Sequence, residues 1–306
     1  MSAPSVVRAT TPLERGRFGL LLTLVVLTLG AWALTIYHAR TMDMPMGIVV
    51  RGGAVAPSQE PAAMPDGMAM EEPAADGRGT PVASGMAGMA TEGWTWDGFA
   101  TFFLAWVVMM AAMMFPAAAP MLLIFRTVSA QRRARGSAFV PTWVFAAGYL
   151  LVWAAIGALI WVLVQAGSDL AGRLGAVERA TWGPVALGAV LIVAGLYQVT
   201  PLKHVCLDHC RTPLGFVTRH WHDGYGGALR MGVIHGLYCL GCCWALFAVL
   251  VAAGVMSLAW MLLLTLVVFA EKVLPVGRRT AHLVGVGFLV LGILVASGAA
   301  AMPWSM

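Results

Sequence analysis

The chain has 306 residues, of which 60% are hydrophobic and only 11% charged, with a mean hydropathy of +0.82. Soluble domains carry about a quarter charged residues, so this composition excludes a soluble globular protein and indicates a polytopic membrane protein. The formal net charge of +5 bears on topology rather than on nucleic acid, because the arginines sit in short connections between apolar runs without a basic helix or aromatic interleaving.

Residues 1–17 are basic, with Arg8, Arg15 and Arg17, and precede an apolar run over residues 18–36. That run is long for a signal peptide and lacks a small-x-small cleavage site, so an uncleaved signal anchor is expected. Residues 37–97 are rich in Ala, Gly and Pro and hold eight methionines. This composition predicts a disordered, acidic, external segment. Its sharpest part is TMDMPMG, where Met42, Met44 and Met46 alternate and could close on a soft ion. Thioethers prefer Cu(I) and remain competent where thiols are oxidised. The plain alternative is a linker with incidental methionines.

The remaining residues, 98–306, read as one membrane-embedded helical domain. Residues 98–125 form a second apolar run, interrupted by Pro116 and Pro120. Pro116 removes a backbone donor and predicts a kink just after MMAAMM. Met110, Met113 and Met114 share one helical face about 100° wide, either as packing filler or as soft ligands. A basic turn with Arg126, Arg132, Arg133 and Arg135 leads to a third run, residues 139–165, and a fourth follows over residues 181–200. Tyr197 and Lys203 read as interfacial anchors, and Pro201 stops the helix.

Residues 203–211 read KHVCLDHCR, where one helical turn would gather Cys206, His209 and Cys210. The fifth run, residues 231–254, carries HGLYCLGCC. At about 100° per residue, His235, Cys239, Cys242 and Cys243 project within one arc of about 100°. An ionisable group at membrane depth is a functional hypothesis by default. Thiolate with imidazole suits Cu(I), Zn(II) or iron–sulfur chemistry and is a poor cage for Mg²⁺ or Ca²⁺. Cysteines as small hydrophobes, with His235 bonded to a carbonyl, are the plain alternative. The five cysteines all fall within residues 206–243, an odd, clustered set that fits metal binding or thiol exchange better than a disulfide framework. A sixth run, residues 259–270, ends in EKVLP, where Glu271 and Lys272 are expected at the interface as a snorkelling pair or in a proton or metal role. Arg278 and Arg279 precede the last run, residues 282–302.

Seven spans with the N-terminus inside and the C-terminus outside place 14 of the 19 basic residues in the cytoplasm. The methionine segment then lies outside and every cysteine near the cytoplasmic side, so a soft ion moving inward meets ligands of rising strength. No Walker A motif is present to drive export.

Together, MMAAMMFPAAAP, GYLLVW, LYQVTPLKHVCLDHCRTPLGF, HGLYCLGCCWAL and EKVLP resemble a bacterial family of metal-binding integral membrane proteins. It is a domain-of-unknown-function family sometimes labelled copper chaperone, and the resemblance covers residues 98–275. It implies a membrane protein that handles copper, with Met109, Met110, Met113, Met114, Cys206, Cys210, His235, Cys239, Cys242, Cys243 and Glu271 as its marks. The sequence therefore predicts an all-α polytopic bundle of about seven transmembrane helices in the bacterial inner membrane that binds Cu(I) for transfer or transport, with zinc as the other candidate. Its partners would be the metal ion, the lipid bilayer and a copper enzyme or soluble copper carrier, with no nucleic acid. A membrane thiol-disulfide oxidoreductase and an assembly scaffold for a copper enzyme are the rival readings.

Overall fold

In a computed structural model, residues 12–41, 94–136, 140–173, 176–253 and 258–299 are described. Met42, Met44 and Met46, and the rest of the methionine segment up to residue 93, lie outside them. The described residues form helices without strands: α1 (Pro12–Thr41), α2 (Trp96–Ala134), α3 (Thr142–Arg173), α4 (Ala176–Gln198), α5 (Pro201–Arg211), α6 (Pro213–His220), α7 (Gly224–Ala253), α8 (Leu258–Val273) and α9 (Gly277–Ala296). The all-α expectation holds.

Five of these helices, α1, α2, α3, α7 and α9, are long and apolar enough to cross a membrane. The pair α4 and α5 meets the same test together but bends by 64° at its break, giving up to six. The described part of each of the seven predicted runs lies mostly on a helix, yet α8 has only 16 described residues. At 1.5 Å per residue it reaches about 24 Å, short of a hydrocarbon core of about 30 Å. Helix α2 differs from expectation too. It continues through Pro116 and Pro120 to Ala134, so the predicted basic turn is the helix's own last turns.

The α4/α5 bend follows from Pro201. Proline disfavours helical geometry in the residue before it and suits the first position of a new helix. Thr200 is accordingly extended, and its hydroxyl accepts from the Lys203 amide at 3.3 Å to cap α5. This turn lays KHVCLDHCR back against α7.

Small residues let the helices approach closely. A Cβ on Gly232 of α7 would collide with the Phe145 carbonyl of α3, and one on Gly148 with the Leu229 carbonyl, so α3 and α7 touch backbone to backbone. Helices α4 and α9 repeat the device, Gly188 facing Gly292 and Gly195 facing Gly285, with two helical turns between the contacts. Helix α2 packs along α1, α3 and α8. Its Trp106 donates to the Trp153 carbonyl at 2.9 Å and meets Phe247 of α7 at 6.4 Å between centroids.

Polar contacts join the connections at the helix ends. Arg126 lies against Gly16, Arg132 pairs with Asp223 at 3.4 Å, and Arg278 pairs with Asp208 at 2.5 Å. Each contact joins segments that the charge count assigns to one side. Trp94 donates to Asp169 at 3.1 Å and joins two from the other.

Candidate metal centre

Helix α7 buries His235, Cys239, Cys242 and Cys243 while Leu237 and Trp244 face outward, so the predicted arc points into the bundle. All five cysteines are free thiols.

Cys242 is the hub of the sulfur contacts. Its Sγ lies 3.4 Å from Cys243 Sγ and 3.9 Å from Cys210 Sγ, and it donates to the Cys239 carbonyl at 3.1 Å. Two sulfurs each about 2.3 Å from one ion stand about 3.8 Å apart at a tetrahedral angle, so the Cys210–Cys242 spacing suits a shared ion. The convergence is pairwise, however. Among the described residues no group of three or more His, Cys, Asp or Glu side chains is arranged to hold one ion.

Cys239 stands apart from the other thiols by its partners. Its Sγ receives a hydrogen bond from Lys272 Nζ at 2.8 Å and lies 3.1 Å from the Tyr149 hydroxyl. His235, one turn earlier, lies between the rings of Tyr149, Phe145 and Phe216 at 5.4 to 5.9 Å. Its Nδ1 is buried and has no hydrogen-bond partner among the described residues.

The two cysteines of α5 behave differently. Cys210 reaches Cys242, whereas Cys206 Sγ packs against Gly241, where an added Cβ would sit 2.8 Å away. The Tyr197 hydroxyl donates to the Gly241 carbonyl, pinning α4 to the same turn of α7. His209 bonds its own helix, Nδ1 to the Val205 carbonyl at 2.8 Å, and stacks on Tyr238 at 4.2 Å. Met109, Met110, Met113 and Met114 are buried in the same apolar core as the cysteines.

Three residues depart from the sequence reading. Lys203 is not an interfacial anchor. It is fully buried, pairs with Glu271 Oε2 at 2.7 Å and donates to Gln198 Oε1. Gln198 Nε2 in turn donates to Glu271 Oε1 at 3.0 Å. Glu271 and Lys272 do not pair with each other at an interface, since both are buried and serve different partners. Adjacent helical residues point about 100° apart, so an Glu-Lys doublet in an apolar helix needs two separate partners, a signal the sequence did carry. Tyr149 and Gln198 had no such signal.

The family model PpoB2, described as copper chaperone, matches residues 103–295. The chain belongs to that family. The matched residues span α2 to α9, so both cysteine segments and Lys272 lie inside the family's region, while α1 and the methionine segment lie outside it. No curated protein and no solved structure gives a significant match.

Proposed function

We propose that this copper-chaperone family member is an inner-membrane protein that binds Cu(I) as cargo on a thiol cluster of α5 and α7 and passes it on. The observation that carries the reading is the 3.9 Å approach of Cys210 to Cys242, two thiols 32 residues apart that the Pro201 turn brings together. Soft thiolates select Cu(I), which accepts fewer ligands than zinc and is served by pairwise convergence. Cys210, Cys242 and Cys243 are the core of the site, with Cys239 and His235, whose Nδ1 has no partner among the described residues, beside it. Cys206 and His209 flank the route to it on α5.

The charge bias supports an orientation with the N-terminus inside and the C-terminus outside. Met42, Met44 and Met46 would then collect the ion outside, and Met110, Met113 and Met114 would carry it through the bundle. A copper enzyme or soluble carrier would receive it. The 3.4 Å Cys242–Cys243 contact favours one second reading, thiol–disulfide exchange with a partner.

The test is Cu(I) titration of the purified full chain under reducing conditions against a Cu(I)-selective chelator, with Cys210→Ser/Cys242→Ser alongside. The parent should retain Cu(I) and the double variant should lose it. Equal competition by both sinks the copper reading. A cluster that binds no Cu(I) but cycles between thiol and disulfide in mass spectrometry supports the exchange reading instead.

A further inference from the structure

Lys272 is a buried ammonium with no carboxylate partner among the described residues. Its neighbour Glu271 is directed elsewhere, to Lys203 and Gln198. What faces Lys272 is sulfur. Its Nζ lies 2.8 Å from Cys239 Sγ, which shares the buried face of α7 with Cys242 and Cys243, and Cys210 Sγ lies 3.9 Å from Cys242 Sγ. Burying a charge without compensation is costly, and here the buried ammonium is compensated by donating to sulfur.

We propose that Lys272 sets the ion selectivity of the thiol cluster, favouring a monovalent soft cation over a divalent one. The inference rests on the copper reading above. Two effects act in the same direction. By holding Cys239, Lys272 leaves Cys210, Cys242 and Cys243 as the free sulfurs and takes one candidate ligand from zinc, which needs four. Its fixed positive charge also repels a divalent ion twice as strongly as a monovalent one. At an effective dielectric of about 20 and a separation of about 6 Å, that extra unit of charge weakens binding by about a hundredfold.

The experiment measures Cu(I) and Zn(II) affinities of the full chain in lipid nanodiscs under reducing conditions, each against a chelator of known affinity. The wild type is compared with Lys272→Met and Lys272→Arg. Lys272→Met should shift the preference toward Zn(II) by on the order of tenfold to a hundredfold, and Lys272→Arg, which keeps the charge, should retain the wild-type ratio. If Lys272→Met does not accumulate, Lys272→Gln removes the charge while keeping a donor for Cys239 and carries the same expectation. An unchanged ratio, including equal weakening of both ions, overturns the inference and makes Lys272 a packing residue. That result leaves Cu(I) binding by the wild type intact, whereas a wild type that binds no Cu(I) overturns the copper reading and this inference together.

Discussion

Lys203 and Glu271 form a 2.7 Å ion pair with both side chains sealed from solvent, joining the first turn of α5 to the end of α8. Gln198 closes the group from α4, and Arg211 Nη1 donates to the Glu271 backbone carbonyl at 2.6 Å from the other end of α5. Helix α5 is thereby held at both ends by one residue of α8. This is the clamp that keeps Cys210 against Cys242.

Breaking the pair on one side should be costly. Lys203→Met leaves a buried carboxylate facing only Gln198, and removing one partner of a buried pair typically costs about 3–5 kcal/mol. The double variant Lys203→Met/Glu271→Met should recover much of that loss, because two apolar side chains leave no charge unpaired. Thermal unfolding in detergent, arranged as a double-mutant cycle, measures the coupling. Additive losses would contradict the pairing.

How much of this was legible depended on whether a partner was near in sequence. The arc of His235, Cys239, Cys242 and Cys243 follows from helical periodicity alone, and the structure buries all four. The turn at Pro201 was legible from proline's local constraints. Lys203 was misread because a lysine just after an apolar run looks like a snorkelling anchor, and its partner Glu271 is 68 residues away. Tyr149 sits in an apolar run where a core role is the default, so only tertiary packing reveals its contact with Cys239. A seventh span was not confirmed: α8 has 16 described residues and ends at the Glu-Lys doublet and the turn after it.

Backbone contact between α3 and α7 yields a second prediction. Gly232→Ala places a methyl into the Phe145 carbonyl, which cannot retreat without moving α3. Overpacking of this kind costs about 1–3 kcal/mol, and it should also lengthen the Tyr149–Cys239 contact. Gly215→Ala, where an added Cβ meets nothing within 4 Å, is the control and should be near neutral. The comparison needs only melting curves of the two variants in one detergent.

The cysteines should not contribute equally to Cu(I) retention. Cys242 touches two other sulfurs, whereas Cys206 packs on Gly241. Cys242→Ser should therefore weaken Cu(I) binding by on the order of a hundredfold or more, since a hydroxyl is a much harder ligand, and Cys206→Ser should have a far smaller effect. Chelator competition ranks them. Cys206→Ser matching Cys242→Ser would move the centre of the site onto α5.

Topology is open to direct measurement. Reporters fused near Gly215 and Arg278 should read cytoplasmic, and one at Ala74 external, following the excess of Lys and Arg in the connections on one side. The contacts Arg132–Asp223 and Arg278–Asp208 tie those same connections together. An external signal at Gly215 would reverse the direction in which the cysteines face.

The methionines of α2 pose the last question, because their burial fits filler and ligand alike. Met110 and Met113 are sealed in the core, but α2 packs along α1, α3 and α8 and reaches α7 through Trp106 on Phe247. A relay role for these methionines therefore predicts an effect on loading rather than on final affinity. Leucine is close to methionine in volume, so Met110→Leu/Met113→Leu should cost less than about 1.5 kcal/mol in stability. Chelator competition at equilibrium should give nearly the parental Cu(I) affinity, since the thiols are untouched. Stopped-flow transfer of Cu(I) from a donor chelator to the protein in nanodiscs should be slower by on the order of tenfold, because two soft way-stations have become hydrocarbon. Unchanged transfer kinetics would assign MMAAMM to packing, and a large loss of equilibrium affinity would place a methionine sulfur directly on the bound ion.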